Sequence, residues 1–271
     1  MLTRNSFQRV VLYIFVLIAF AACQKEISTP VPGNPPPSAK KLYKVTINNV
    51  DSMVFTYNSS GRLQKLSSTD PVEEHIEFNF VYDNAGNVKE LSTSAGELYK
   101  YVYENGKLRM TENYMDNVKV SENQFVWENS RISSNTVFIG TDGPNGSVVY
   151  KPTFKALYTY DAAGVMKSLS TYTINPVTQQ TTLVNKRVID QYDNNINPAV
   201  MIEAVNLLSF SEISMPHNIL KESLFKEDGS LQESTENSYV FDAAKNIVSA
   251  VSTVTEPGRV PTVLNVQFSY R

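Results

Sequence analysis

Two histidines, His75 and His217, a single thiol and scattered carboxylates are the side chains of this 271-residue sequence whose types could do chemistry. A hydrolase needs a nucleophile, a base and an orienting group that converge in space. The chain contains no Gly-x-Ser-x-Gly elbow. His75 opens an alternating segment behind Glu73-Glu74, and His217 follows Pro216, so both read as surface or turn residues. Paired acids such as Glu73-Glu74 or Glu227-Asp228 could serve glycoside hydrolysis. Adjacent residues on a strand point to opposite faces, however, and solvated turn flanks account for these acids. Oxygen ligands suited to calcium cluster at Asp83-Asn84 and Asp193-Asn194-Asn195, where turn formation also explains them. With two histidines and one cysteine there is little from which to build a zinc or iron-sulfur site. The expectation is a protein with no catalytic residues, no metal and no cofactor. The 15 Tyr, 13 Phe and single Trp127 could stack on sugar rings, against the simpler reading of cross-strand aromatic packing.

The lone thiol has a more specific setting. Arg4 and Arg9 form a basic start, Val10 to Phe20 is an unbroken apolar run of 11 residues, and Ala21-Ala22-Cys23 follows. The run is short for a membrane span and matches the core of a secretory signal. Small residues before a cysteine resemble the bacterial lipobox, in which the thiol is acylated and the chain is cut so that Cys23 becomes its first residue. Phe20 departs from the leucine usual at that position. An ordinary secretory signal beside an unrelated cysteine is the alternative. Residues 1–22 therefore read as a lipoprotein signal peptide, and their removal leaves 22 basic and 27 acidic side chains, a net charge of −5. That balance, without a basic stripe, argues against nucleic acid as a partner.

Residues 23–40 read as an acylated cysteine followed by a tether, since Thr29 to Pro37 holds five prolines in eight residues from Pro30 onward. From 41 to 271 the pattern is apolar alternation of period two between turn residues, the mark of antiparallel strands with one packed face. A unit recurs: an aromatic residue, glycine four later and an apolar residue six later. Tyr57-Asn58 to Gly61 and Leu63, Tyr82-Asp83 to Gly86 and Val88, and Tyr160-Asp161 to Gly164 and Met166 are its clearest copies. Phe225 to Leu231 fits with Gly229, and Phe241 to Ile247 fits with Lys245 in the glycine place. A type I turn closed by a residue of positive φ requires this spacing. Tyr103 to Leu108, with Asn105-Gly106, and Trp127 to Ile132 are one residue shorter, as two-residue hairpins are. The structural turn residues are thus Asn58, Gly61, Asp83, Gly86, Asn105, Gly106, Asp161, Gly164 and Gly229. Asn197-Pro198 followed by an apolar stretch to Leu208 predicts one short buried helix, with a buried strand pair as the alternative.

Tyr82-Asp83-Asn84-Ala85-Gly86 and Tyr158-Thr159-Tyr160-Asp161-Ala162-Ala163-Gly164 resemble tyrosine-aspartate (YD, RHS-like) repeats. Over residues 41–271 the chain resembles YD-repeat-like lipoproteins of unknown function in Bacteroidota. The resemblance implies turn chemistry at Asp83, Gly86, Asp161 and Gly164, and says little of activity. The reading is mainly β: an elongated, curved antiparallel β-meander of hairpin repeats with one short helix packed on it. Such a protein is expected on the outer membrane, anchored through Cys23, at the cell surface or on the periplasmic face. It is expected to be a non-catalytic structural or binding module for a surface protein, peptide or glycan. A carrier or sensor of an apolar ligand and a cryptic hydrolase are the alternatives.

Overall fold

The computed structural model describes residues 40–69, 75–196 and 217–271. Sixteen strands follow one another: β1 (Leu42–Ile47), β2 (Asp51–Tyr57), β3 (Leu63–Thr69), β4 (Ile76–Tyr82), β5 (Val88–Thr93), β6 (Glu97–Glu104), β7 (Lys107–Met115) and β8 (Val118–Glu128). Then come β9 (Arg131–Asp142), β10 (Val148–Tyr160), β11 (Met166–Ile174), β12 (Thr181–Ile196), β13 (His217–Lys226), β14 (Leu231–Phe241), β15 (Ile247–Thr255) and β16 (Thr262–Tyr270). Each pairs antiparallel with its chain neighbour, and β1 pairs with β16, so the meander is a closed barrel. This corrects the expected open, elongated sheet. The reason is the edge: Val45 pairing with Phe268 satisfies two strands that an open meander would leave exposed. Curvature comes from bulges, one beside nearly every hairpin end on one rim. Opposite the Thr56-Tyr57 step, for example, Leu63 and Lys65 pair while Gln64 is extra. The helix expected after Asn197 lies outside the described residues. Among those described, the only helical element is a 3-10 turn at Pro144–Gly146.

A circular sixteen-strand barrel would leave its inner side chains in water. Here Val45, Phe55, Leu66 and Ile219 are 0% exposed and Phe125 is 1% exposed, although they come from strands around the whole circuit. Opposing inner faces therefore pack on one another, and a single apolar cluster fills the interior. Polar residues inside are satisfied in pairs: Tyr158 Oη donates to Asn135 Oδ1 at 3.1 Å, and Asn135 Nδ2 donates to Asn123 Oδ1 at 2.9 Å.

The outer wall mixes charged and polar side chains with exposed valines such as Val81, Val102, Val126 and Val240. Alternating with the buried set are Lys44, Thr46, Lys65, Glu77, Asn79 and Lys100, all half-exposed or exposed. Lys65 pairs with Glu77, and Lys119 Nζ lies 2.7 Å from both Glu112 and Glu122 on the same outer face. Burial works against the Lys119 charge, but those two bonds outweigh it and raise its pKa. A membrane-spanning barrel turns an apolar band outward and needs strands of about 9–11 residues. β1 to β5 have six or seven, whereas β7 to β16 have 9 to 16.

Candidate functional site

The turns after β2, β4, β6, β8, β10 and β14 all lie on one rim of the barrel, and both chain ends meet there: Lys41 N–H donates to Arg271 O at 2.8 Å and Arg271 N–H returns to Lys41 O at 3.0 Å. We call this the terminal rim. Asn58, Gly61, Asp83, Gly86, Asn105, Gly106, Asp161 and Gly164 stand on it, whereas Gly229 lies in the β13–β14 turn on the opposite rim. In the longer turns the glycine N–H donates back to the turn's first residue, Gly86 to Asp83 O at 3.1 Å, at a φ of 92°. Asp83 Oδ1 accepts from Asn87 N–H at 2.9 Å, and bonding to Asn87 holds the Asp83 carboxyl below its ordinary pKa. Asn105 and Gly106 both have positive φ, as a two-residue turn demands.

Below the turns runs a ring of aromatics joining one hairpin to the next. The ladder between β3 and β4 ends at Lys65 and Asn79, so Leu63 O has lost its strand partner, and Tyr82 Oη donates to it at 2.6 Å. Tyr57 does the same to Leu42 O, Tyr160 to Ile132 O, Tyr192 to Met166 O and Trp127 Nε1 to Leu108 O, at 2.6–2.8 Å. At Phe241, which has no hydroxyl, Tyr239 two residues earlier donates to Ile219 O at 2.9 Å. Burial pushes the phenols of Tyr57 and Tyr160 up to about 12, so they stay neutral donors.

On four of these rings lies a cation from the preceding hairpin. Arg62 stands 5.5 Å from the Tyr82 centroid, Lys107 5.6 Å from Trp127, Arg131 5.6 Å from Tyr160 and Lys167 5.9 Å from Tyr192. Lys41, from the closing pair of termini, covers Tyr57 at 5.1 Å. The glycines admit them: a Cβ on Gly86 would overlap the Arg62 guanidinium, and one on Gly164 that of Arg131. The aromatic and glycine of this arrangement are visible in the sequence unit. The cation is not, because it belongs to the hairpin before.

Between β7 and β8 the same splaying opens a cleft of about 420 Å³ lined by Glu104, Lys107, Leu108, Arg109, Phe125 and Trp127. Arg109 closes part of it, its guanidinium 3.5 Å from Phe125 O and 3.8 Å from Glu104.

The histidines do not meet. His75 is exposed at the start of β4, bonded to Thr69 and Glu77, and His217 starts β13 on the other rim beside Asn195 O. Glu73-Glu74 lies outside the described residues, and Asp228 caps its own turn at Ser230 N–H, 2.8 Å. Asp193 accepts from Asn195 N–H and from both nitrogens of Asn218, a backbone clamp across β12 and β13. Among the described residues no three metal-ligating side chains come together. One buried carboxylate escaped the sequence reading: Glu222, inside the barrel, 3.6 Å from Arg187. Cys23 lies outside the described residues.

Tyr82→Phe is expected to lower stability by about 1 kcal/mol, leaving Leu63 O without its donor, whereas Tyr114→Phe on the outer wall should cost less. Urea unfolding of both variants checks the contrast.

No family model matches the sequence, and no curated protein matches it. Among solved structures, a porin-like protein from Bacteroides uniformis superposes with a TM-score of 0.52 at 12% identity, covering 88% of this chain and all of that one. A porin-like protein from Bacteroides vulgatus gives 0.45 at 11% identity over 86% of this chain and 99% of that chain. The Photorhabdus luminescens Tc holotoxin pore gives 0.28 at 12% identity over 76% of this chain and 13% of that chain. The first shares the barrel fold.

Proposed function

We propose that the chain is a membrane-anchored lipoprotein of the YD-repeat-like kind, held at the outer membrane through acylated Cys23, whose barrel acts by binding a surface protein, peptide or glycan. The observation that carries this reading is the polarity of the barrel. An apolar filled interior, and an outer wall on which Lys, Glu and Asn interrupt the exposed valines, fit a domain that stands in water beside a membrane, neither conducting nor spanning. The filled interior favours contact on the outside over carriage of an apolar ligand within. The scattered histidines and self-capped acids support a non-catalytic role, and the rim and the Trp127 cleft are its contact surfaces.

The anchor is tested by feeding cells a radioactive fatty acid. Cys23→Ala should lose all label and leave the membrane fraction, and equal label in variant and parent would overturn the anchor. Reproducible turnover of glycosidic, ester or peptide substrates by the purified barrel, abolished by neutralising facing acids, would overturn the non-catalytic reading.

A further inference from the structure

Charge is divided between the two rims. The terminal rim carries Lys41, Arg62, Lys107, Arg131, Lys167 and Arg271, each on an aromatic ring and, except for half-buried Arg131, exposed. Its acids Asp83, Asp161 and Asp242 accept from the N–H groups of their own turns at 2.9 Å, and the second oxygen of Asp161 lies 4.0 Å from Lys167. Asp193 is bonded to Asn195 and Asn218, so among the described residues of this rim Glu104 and Glu128 remain to oppose the cations, and Arg109 reaches Glu104. The opposite rim holds Asp51, Glu97, Asp116, Asp142, Asp228 and Glu256 against Lys226 and Arg259, of which Arg259 is paired to Glu256 at 2.6 Å. A chain that is acidic overall, at a net charge of −3, thus gathers its cations on one rim.

The chain enters the barrel at the basic rim. From Cys23 to Lys41 it can reach at most about 60 Å, at roughly 3.3 Å per residue, so an anchor at Cys23 keeps this rim within that distance of the lipid. We propose that the terminal rim seats on anionic lipid headgroups, with the acidic rim turned outward. The inference rests on the lipid-anchor reading for its orientation. The cations are held on aromatic faces around one rim, and a neutral ring does not cancel their charge; of the six, Lys167 also has a carboxylate nearby, Asp161 at 4.0 Å. An acyl chain with a basic patch is a sufficient pair of membrane signals. Lipid phosphates attract such cations over the short distances that screening allows.

The test uses the unacylated chain 24–271, whose barrel closes on itself with its own core. Vesicles of phosphatidylcholine alone and with added phosphatidylglycerol are sedimented with it at low and high salt. Binding is expected to the anionic vesicles only, and to fall about five-fold for each of Lys41→Gln and Lys167→Gln. Asp116→Asn and Asp142→Asn on the opposite rim should change nothing. Trp127, the only tryptophan of the chain, stands on the terminal rim and should be quenched by brominated phosphatidylglycerol. Thermal unfolding checks that each variant is folded. Lysines 41 and 167 lie one on each side of the ring, so a fold defect in one leaves the other as the test. Equal binding to neutral vesicles, no binding to either, or an unquenched Trp127 in the bound state would overturn the proposal. Equal fatty-acid label in Cys23→Ala and parent, with vesicle binding intact, would overturn the anchor and leave the lipid surface standing.

Discussion

Gly164→Val is expected to lower the unfolding free energy by about 2–3 kcal/mol, and Gly229→Val by only about 1–2 kcal/mol. Both residues have φ near 80°, where a Cβ costs roughly 1–2 kcal/mol. They differ in what lies over them. Nothing stands within 4 Å of a Cβ on Gly229, whereas on Gly164 it would displace the Arg131 guanidinium from the Tyr160 ring. A stacked, half-buried cation contributes about 1 kcal/mol. In the Arg131→Ser background Gly164→Val should therefore cost no more than Gly229→Val does. Denaturant midpoints of the four proteins of that cycle measure the coupling, and a coupling of zero would place the arginine elsewhere. Gly86 and Arg62 should repeat the result, since they have the same geometry three hairpins away around the barrel.

Arg187→Met should be the most damaging single substitution inside the barrel, at about 3–5 kcal/mol near neutral pH, because it leaves the Glu222 carboxylate buried with no cation. Burial already raises the Glu222 pKa against the lowering effect of Arg187, with Glu233 and Asp190 adding to the rise. A carboxyl raised in the folded state binds its proton more tightly there than in the unfolded chain. Its favourable contribution is present in acid and is lost as pH climbs from the ordinary glutamate range through the raised value. The parent should thus lose stability over that interval, Arg187→Met should lose more, and Glu222→Gln should remove this part of the slope and be the more stable protein above it. Unfolding free energies measured from mildly acidic to mildly alkaline pH decide it. A Glu222→Gln profile parallel to that of the parent would show that Glu222 is not the titrating group.

The hairpins were legible because their determinants are local. The spacing from Tyr82 to Gly86 to Val88 is set within one turn, where positive φ and an Asp cap leave few alternatives. Alternation such as Phe78-Asn79-Phe80 likewise assigns an inner and an outer face from the strand period alone.

Closure was decided by tertiary structure. Pairing of Val45 with Phe268 joins residues more than two hundred positions apart, and either strand would look the same in an open sheet. Whether the inner face lines a channel, a cavity or a packed core depends on how far the walls approach, which no strand encodes by itself. The rim shows the same division. Each aromatic and each glycine lies in its own repeat, but the carbonyl it satisfies and the cation it admits come from the hairpin before, as Leu63 and Arg62 do for Tyr82 and Gly86. So too with Glu222, which alternation places on the inner face. Its partner Arg187 stands on the neighbouring strand across a long connection, where only the register of β12 on β13 brings opposite charges together out of water.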